Sequence, residues 1–232
     1  YQVAVASVDG DEGAIDGIRK KGIVVITYGN LHHAAKEELF WIREYDCVIV
    51  NTSYYLGSII EISKIRPVIW WIHEPPKYIK ASFDYLNKYR REDFEEISVY
   101  AVCHPAKRGM EECLPEKDIG ILTYGIEEEA EKRGNRLKNG KVVFAVIGYV
   151  SPIKAQDLFI EAVANLGEEE KQKAEFWLIG SINEIGFGHT VREMAEKEKG
   201  IRIFGEVSRE EMGNLYNEID VVVNPSRTDL LP

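Results

Sequence analysis

The chain has 232 residues, a net charge of −10, a hydrophobic fraction of 45% and three cysteines. That length suits one large domain or two modest ones, and the acidic balance excludes a general nucleic-acid binder, which needs a basic face, while leaving room for a local basic pocket. No apolar run reaches the roughly 18 residues needed to cross a bilayer, and no signal peptide is visible.

Apolar strand-like runs occupy residues 3–6, 23–27, 47–51, 68–73, 99–103 and 119–123, with helical patterns between them, for example at 34–43 and 78–95. Continuous apolar strands separated by helices indicate a parallel sheet covered on both faces. Cys47 and Cys103 fall inside expected strands. With Cys113 they lack metal-type spacing and read as buried free thiols, which suits a cytoplasmic protein. His32 and His33 are adjacent, so they point in different directions; no carboxylate or cysteine is spaced to join them, and they read as a solvated pair. His104 and His189 have no partner visible in the sequence. Trp70 and Trp71 read as core.

Residues 127–140 interrupt the alternation. They are highly charged and end in glycine, which fits a linker or a solvated helix. The alternation then restarts, with strands at 142–147, 175–180, 201–204 and 221–224 and helices at 157–166, 190–199 and 208–217. Ser208 followed by Glu211 is a capping box. The fold class expected is α/β, with two doubly wound Rossmann-like domains facing across a cleft: residues 1–126, a linker at 127–140, and residues 141–232. The chain opens within a strand, without an initiator Met, and stops just after another, so both domains are expected to be incomplete pieces of a longer protein. Ligands of such sheets bind outside the carboxyl ends of the strands, which makes the cleft the expected site.

The most informative segment is Gly148-Tyr149-Val150-Ser151-Pro152-Ile153-Lys154, between the 142–147 strand and the next helix. A glycine here can serve packing alone. It also opens the kind of turn whose free N–H groups and helix dipole hold a phosphate. Lys154 adds a full positive charge, so the expected ligand is a phosphorylated small molecule, most simply a nucleotide.

Gly148, Lys154, Asp157-Leu158 and Glu161-Ala162, then Phe176-Trp177-Leu178-Ile179-Gly180, Ile203-Phe204-Gly205-Glu206-Val207-Ser208, Leu215-Tyr216 and Asp220-Val221-Val222-Val223-Asn224-Pro225-Ser226, follow one order and spacing. In these residues the chain resembles the family 4 (group 1) retaining glycosyltransferases of GT-B fold. The resemblance covers most of 141–232 and departs at two positions: Tyr149 stands where the family often has Arg, and Ala155 where Gly usually follows the Lys. The N-terminal half resembles the family more weakly, through Val68-Ile69-Trp70-Trp71-Ile72-His73-Glu74-Pro75 and Ile121-Leu122-Thr123-Tyr124-Gly125-Ile126-Glu127.

The resemblance implies transfer of a sugar from a nucleotide-diphosphate donor to a glycan or lipid-linked acceptor, such as a surface polysaccharide precursor, with retention at the anomeric carbon. It implies three catalytic residues. Lys154 would stabilise the leaving diphosphate, His73 would reach the donor phosphate or the reacting sugar, and Asp229 would position the sugar hydroxyls. Donor contacts would come from Gly148, Tyr149, Lys154, Gly180, Ser181, Glu206 and Val207. No metal or other cofactor is expected, since a protein cation faces the diphosphate. The family's second acid, which contacts the ribose, would lie beyond Pro232, so the piece is expected to be catalytically impaired. Asp229 also fits a plain charged loop residue, and His73 a capping or buried structural one. Peripheral membrane association at the inner face and homodimerisation stay open. The competing readings are a non-catalytic binding or assembly module of the same fold, and an NAD(P)-binding oxidoreductase, for which no strand ends in the Gly-x-Gly-x-x-Gly turn.

Overall fold

A computed structural model of the chain describes residues 2–10, 12–85, 91–125 and 140–230; the expected linker lies outside them apart from Gly140. The chain divides between Gly125 and Ile126 into two compact units, and among the described residues each sheet lies within one unit.

The first unit opens with β1 (Ala4–Ser7), α1 (Glu12–Lys20) and β2 (Val24–Thr27). These two strands pair in parallel as a separate two-stranded sheet. The single N-terminal sheet expected from the sequence is therefore two sheets. The second comprises β3 (Val48–Val50), β4 (Val68–Ile72), β5 (Ile97–Ala101) and β6 (Ile119–Ile121), all parallel and in sequential order. Helices α2 (Leu56–Ser63), α3 (Pro76–Tyr85) and α4 (His104–Cys113) connect these strands. Along β4, Val68, Trp70 and Ile72 are buried and alternate with half-buried neighbours, as the two-residue period of a strand requires. Trp70 is fully buried against Phe83 and Phe94, as the sequence suggested.

Three expectations fail here. The helix at 34–43 is a 3₁₀ stretch, Lys36–Glu44, interrupted at Leu39. Its two buried residues, Leu39 and Ile42, are three apart, which matches the three-residue turn of a 3₁₀ helix and gives an α-helix too narrow an apolar stripe. The strand read at 99–103 lies two residues earlier, so Cys103 falls at the N-cap of α4 and is half-buried. Cys47 precedes β3 and is exposed.

The second unit contains β7 (Val142–Ile147), α5 (Gln156–Ala164), α6 (Glu168–Gln172), β8 (Ala174–Ile179), α7 (Phe187–Lys197), β9 (Ile201–Gly205), α8 (Arg209–Tyr216) and β10 (Val221–Val222). All its strands are parallel, in the order β10-β7-β8-β9. Both faces of the sheet are covered, as doubly wound architecture demands. On one side Phe144, Val146, Phe176 and Leu178 pack with Phe159, Ile160 and Val163 of α5 and Val191 and Ala195 of α7. On the other, Ala145, Trp177 and Ile179 pack with Met212 and Leu215 of α8. Ser208 and Glu211 form the expected reciprocal cap at the start of α8. The last strand is shorter than the expected 221–224, although the Val223 N–H still donates to the Ala145 carbonyl at 2.8 Å. Pro225, which lacks an N–H, ends the ladder.

Candidate functional site

The strand order of the second unit fixes where its ligand site lies. The chain runs from β7 outward to β8 and β9, then returns to place β10 on the opposite side of β7. Strand order reverses between β7 and β10, and a crevice opens at their carboxyl ends, where open α/β sheets bind ligands. A pocket of about 220 Å³ occupies this position, lined by Val146, Ile147, Lys154, Val222, Val223, Asn224, Pro225 and Ser226.

The loops around the pocket are tied strand to strand. The Gly148 N–H donates to the Ile179 carbonyl at 2.8 Å, Val150 N–H to Ser181 O at 3.0 Å, and Gly180 N–H to Gly205 O at 2.8 Å. Gly148 and Gly180 have φ of +138° and +143°, which side-chain-bearing residues rarely adopt. A Cβ on Gly180 would lie 2.1 Å from the Gly148 carbonyl oxygen, so the two turns come together only because Gly180 has no side chain.

Gln156, at the start of α5, completes the loop and was not singled out from the sequence. It is 1% exposed. Its Oε1 accepts from Ser151 N–H at 3.3 Å, and its Nε2 donates to the carbonyls of Tyr149 at 3.2 Å and Gly148 at 3.4 Å. Ala155, just before it, is wholly buried in the left-handed region with φ 55° and ψ 42°. That conformation explains why glycine suits this position in the family pattern.

Lys154 and Asp229, 75 residues apart, meet: Nζ donates to Oδ2 at 2.5 Å. Ser226 Oγ lies 3.3 Å from the same oxygen. The loop bearing Asp229 is held by Arg227, the second residue missed. Its guanidinium makes a two-pronged contact with Asp157, Nη1 to Oδ1 at 2.9 Å and Nη2 to Oδ2 at 2.6 Å. Nη1 also donates to the Pro152 carbonyl at 2.9 Å. The guanidinium hydrogen bonds hold the Asp157 carboxyl below the usual carboxylate range.

The remaining candidates divide. Tyr149 is 54% exposed beside the Gly148 turn, and Ser181 is half-buried. Glu206 is exposed after β9, whereas Val207 packs its side chain against the cluster of Ala145, Trp177 and Ile179.

His73 belongs to the first unit, at the carboxyl end of β4. The Trp71 ring meets it edge-on at 4.5 Å between centroids, and the Tyr124 ring stacks at 6.0 Å. The Trp71 indole N–H donates to the Leu122 carbonyl at 2.8 Å, which fixes the ring. Trp71 is thus half-buried and walls His73, contrary to the core role expected. Glu74 accepts from the His73 backbone N–H at 3.2 Å and from the Thr52 hydroxyl. The His73 Nε2 atom is buried and has no partner among the described residues. Burial pushes the imidazole pKa down, opposed in part by Glu74. The other histidines differ from expectation in detail. His32 sits edge-on to Tyr54 and Tyr55 at 4.2 and 5.1 Å, and His189 Nε2 lies 3.4 Å from Glu193 Oε1. Among the described residues no cluster of three or more metal-type ligands occurs, and no helix is long and apolar enough to cross a membrane.

The family model for glycosyl transferases group 1 matches residues 140–232. Among solved structures, the chain is similar to the apo form of the lipopolysaccharide outer core galactosyltransferase WaaB, with TM-score 0.63 and 13% identity over 89% of this chain and 60% of that one. It is similar to WaaG, a glycosyltransferase involved in lipopolysaccharide biosynthesis, with TM-score 0.60 and 14% identity over 98% of this chain and 67% of that one. An α,α-trehalose-phosphate synthase (UDP-forming) from Burkholderia vietnamiensis matches with TM-score 0.58 and 9% identity, over 98% of this chain and 77% of that one. These likenesses are of fold: the chain has the α/β, parallel-sheet architecture of GT-B glycosyltransferases. It spans 60% of the WaaB structure and 39% of that of TarM. No curated protein sequence matches the chain.

Proposed function

We propose that the protein transfers a sugar from a nucleotide-diphosphate donor to a glycan or lipid-linked acceptor, with retention of anomeric configuration, a reading supported by the match of residues 140–232 to the family model for glycosyl transferases group 1. The observation that carries this reading is the lysine at the strand-order reversal: Lys154 lines the pocket beside the Gly148 turn. In the reaction the bond from the anomeric carbon to the diphosphate oxygen breaks. A new bond to the acceptor oxygen forms on the same face, and that hydroxyl passes its proton to the departing diphosphate oxygen. Negative charge grows on the departing nucleoside diphosphate. A fixed ammonium and a turn backbone aimed at that charge stabilise the transition state more than the ground state.

In this reading Lys154 faces the diphosphate and Asp229 holds the sugar hydroxyls. The backbone at Gly180-Ser181 and Glu206-Val207 contacts phosphate or base. His73 meets the sugar or phosphate as a neutral hydrogen-bonding group. The first unit takes the acceptor. The charge neutralisation comes from a protein cation, so the proposal includes no metal.

The test is calorimetric titration with UDP-, GDP- and ADP-linked sugars and with NAD(P), followed by incubation with donor and acceptor and NMR assignment of the product anomer. Binding of one sugar nucleotide, weakened in Lys154→Ala, supports the reading. Binding of NAD(P) instead, or of nothing in the panel, overturns it.

A further inference from the structure

The pocket cation already has a carboxylate on it, and that carboxylate is delivered by a second ion pair. Asp229 lies two residues after Arg227 in the loop that follows β10. Arg227 fastens this loop to the turn that carries Lys154, through the Asp157 carboxylate, the Pro152 carbonyl and a backbone bond from its own N–H to the Ile153 carbonyl at 2.9 Å. A guanidinium forked onto a carboxylate is directional as well as strong. Asp157 sits in the first turn of α5, which also favours its charge. Within the loop the single Ser226 hydroxyl proton has two acceptors in reach, Asn224 Oδ1 at 2.6 Å and Asp229 Oδ2 at 3.3 Å. Two segments distant in sequence, 152–157 and 226–229, are thus locked together with Asp229 over Lys154.

We propose that the Arg227–Asp157 clamp is a positioning device that seats Asp229 on Lys154, making this carboxylate the resident occupant that an incoming diphosphate displaces. Arg227 acts through Asp229 and does not itself touch the ligand. Because Asp229 competes with the diphosphate for the same ammonium, loosening it raises anion affinity. A clamp that merely shaped the 151–157 turn would have the opposite sign, since its loss would disorder the Gly148 backbone.

The inference rests on the reading of Lys154 as the anion-binding group, and the test separates the two. Inorganic pyrophosphate and the nucleoside diphosphates UDP, GDP and ADP are titrated calorimetrically into the chain and its variants. Asp229→Asn is expected to tighten pyrophosphate binding about 3–10-fold, as removal of a charged competitor should. Arg227→Gln is expected to tighten it in the same direction, and this effect should vanish in the Asp229→Asn background. Weaker binding in Arg227→Gln, or an equal change in both backgrounds, overturns the inference. Should Arg227→Gln fail to fold, Arg227→Lys keeps the charge, loses the fork and carries the same expectation. If Lys154→Ala leaves pyrophosphate binding unchanged, the anion site and the inference both fall. If pyrophosphate follows the expected pattern while no nucleoside diphosphate binds better, the inference stands and the nucleotide-sugar reading falls.

Discussion

Gly180 approaches Gly148 so closely that a methyl group on Gly180 would stand 2.1 Å from the Gly148 carbonyl oxygen. This contact joins the carboxyl ends of β7 and β8, directly after Ile147, which lines the pocket. Gly180→Ala must move backbone, because the obstructing atom is a carbonyl and not a flexible side chain, and it also forces alanine to φ near +143°. The expected destabilisation of the second unit is about 2–4 kcal/mol, from strain and overpacking together. Denaturant unfolding followed by Trp177 fluorescence checks it, and an unchanged midpoint would contradict the close approach.

Ala155 gives a second test of backbone strain. An L-residue in the left-handed region carries about 1–2 kcal/mol. Glycine would relieve that but lose a buried methyl and gain unfolded-state freedom. Ala155→Gly is therefore expected to change stability by less than about 1 kcal/mol. Ala155→Val puts a β-branched residue in the same conformation and is expected to cost about 2–4 kcal/mol. Parallel denaturation curves of the two variants decide, and equal effects would refute the strain.

Much of this was legible in the sequence because it depends on period and order. The strand at 142–147 and the Ser208–Glu211 cap stand where apolar runs and cap residues put them. Lys154 was legible as a cation after a Gly-opened turn. Its pairing with Asp229 was not, since it spans 75 residues and depends on where β10 enters the sheet. Arg227 was missed for the same reason, since Pro152 and Asp157 become its neighbours only once two distant loops meet; the partners of Gln156 lie five to eight residues away, but its amide reaches them only because the 148–155 loop folds back over the start of α5. Trp71 was misread because strand alternation puts only one of two adjacent tryptophans inward, and the sequence does not say which.

His73 should stay neutral to lower pH than an ordinary histidine, because burial disfavours the charged ring. The sign follows. The unfolded chain takes up this proton near pH 6.5, while the folded chain resists it. The contribution to stability is therefore complete above about pH 6.5 and is lost as pH falls through the lower folded value. NMR titration of the His73 ring checks the direction. Trp71→Ala opens one wall and is expected to move the His73 pKa back up towards the ordinary value; no movement would mean that Trp71 does not desolvate it.

Gln156 offers the sharpest chemical test, because its replacements separate shape from hydrogen bonding. The buried amide both accepts and donates: Oε1 takes the Ser151 N–H, and Nε2 serves the carbonyls of Gly148 and Tyr149. Gln156→Leu keeps about the same volume and strands all three backbone groups away from water. Each buried group left unmade costs about 1–3 kcal/mol, partly recovered where the loop relaxes to solvent. The expected loss is about 2–4 kcal/mol. Gln156→Glu is nearly isosteric, yet at neutral pH its carboxylate would oppose the two carbonyl oxygens and give up the donor they need. It should escape that conflict by binding a proton, so its stability is expected to fall as pH rises from 5 to 8 while that of the unaltered chain changes far less. Urea unfolding of both variants at pH 5 and pH 8 makes the comparison. A Gln156→Glu chain as stable at pH 8 as at pH 5 would show that the amide nitrogen is not what holds the Gly148 turn.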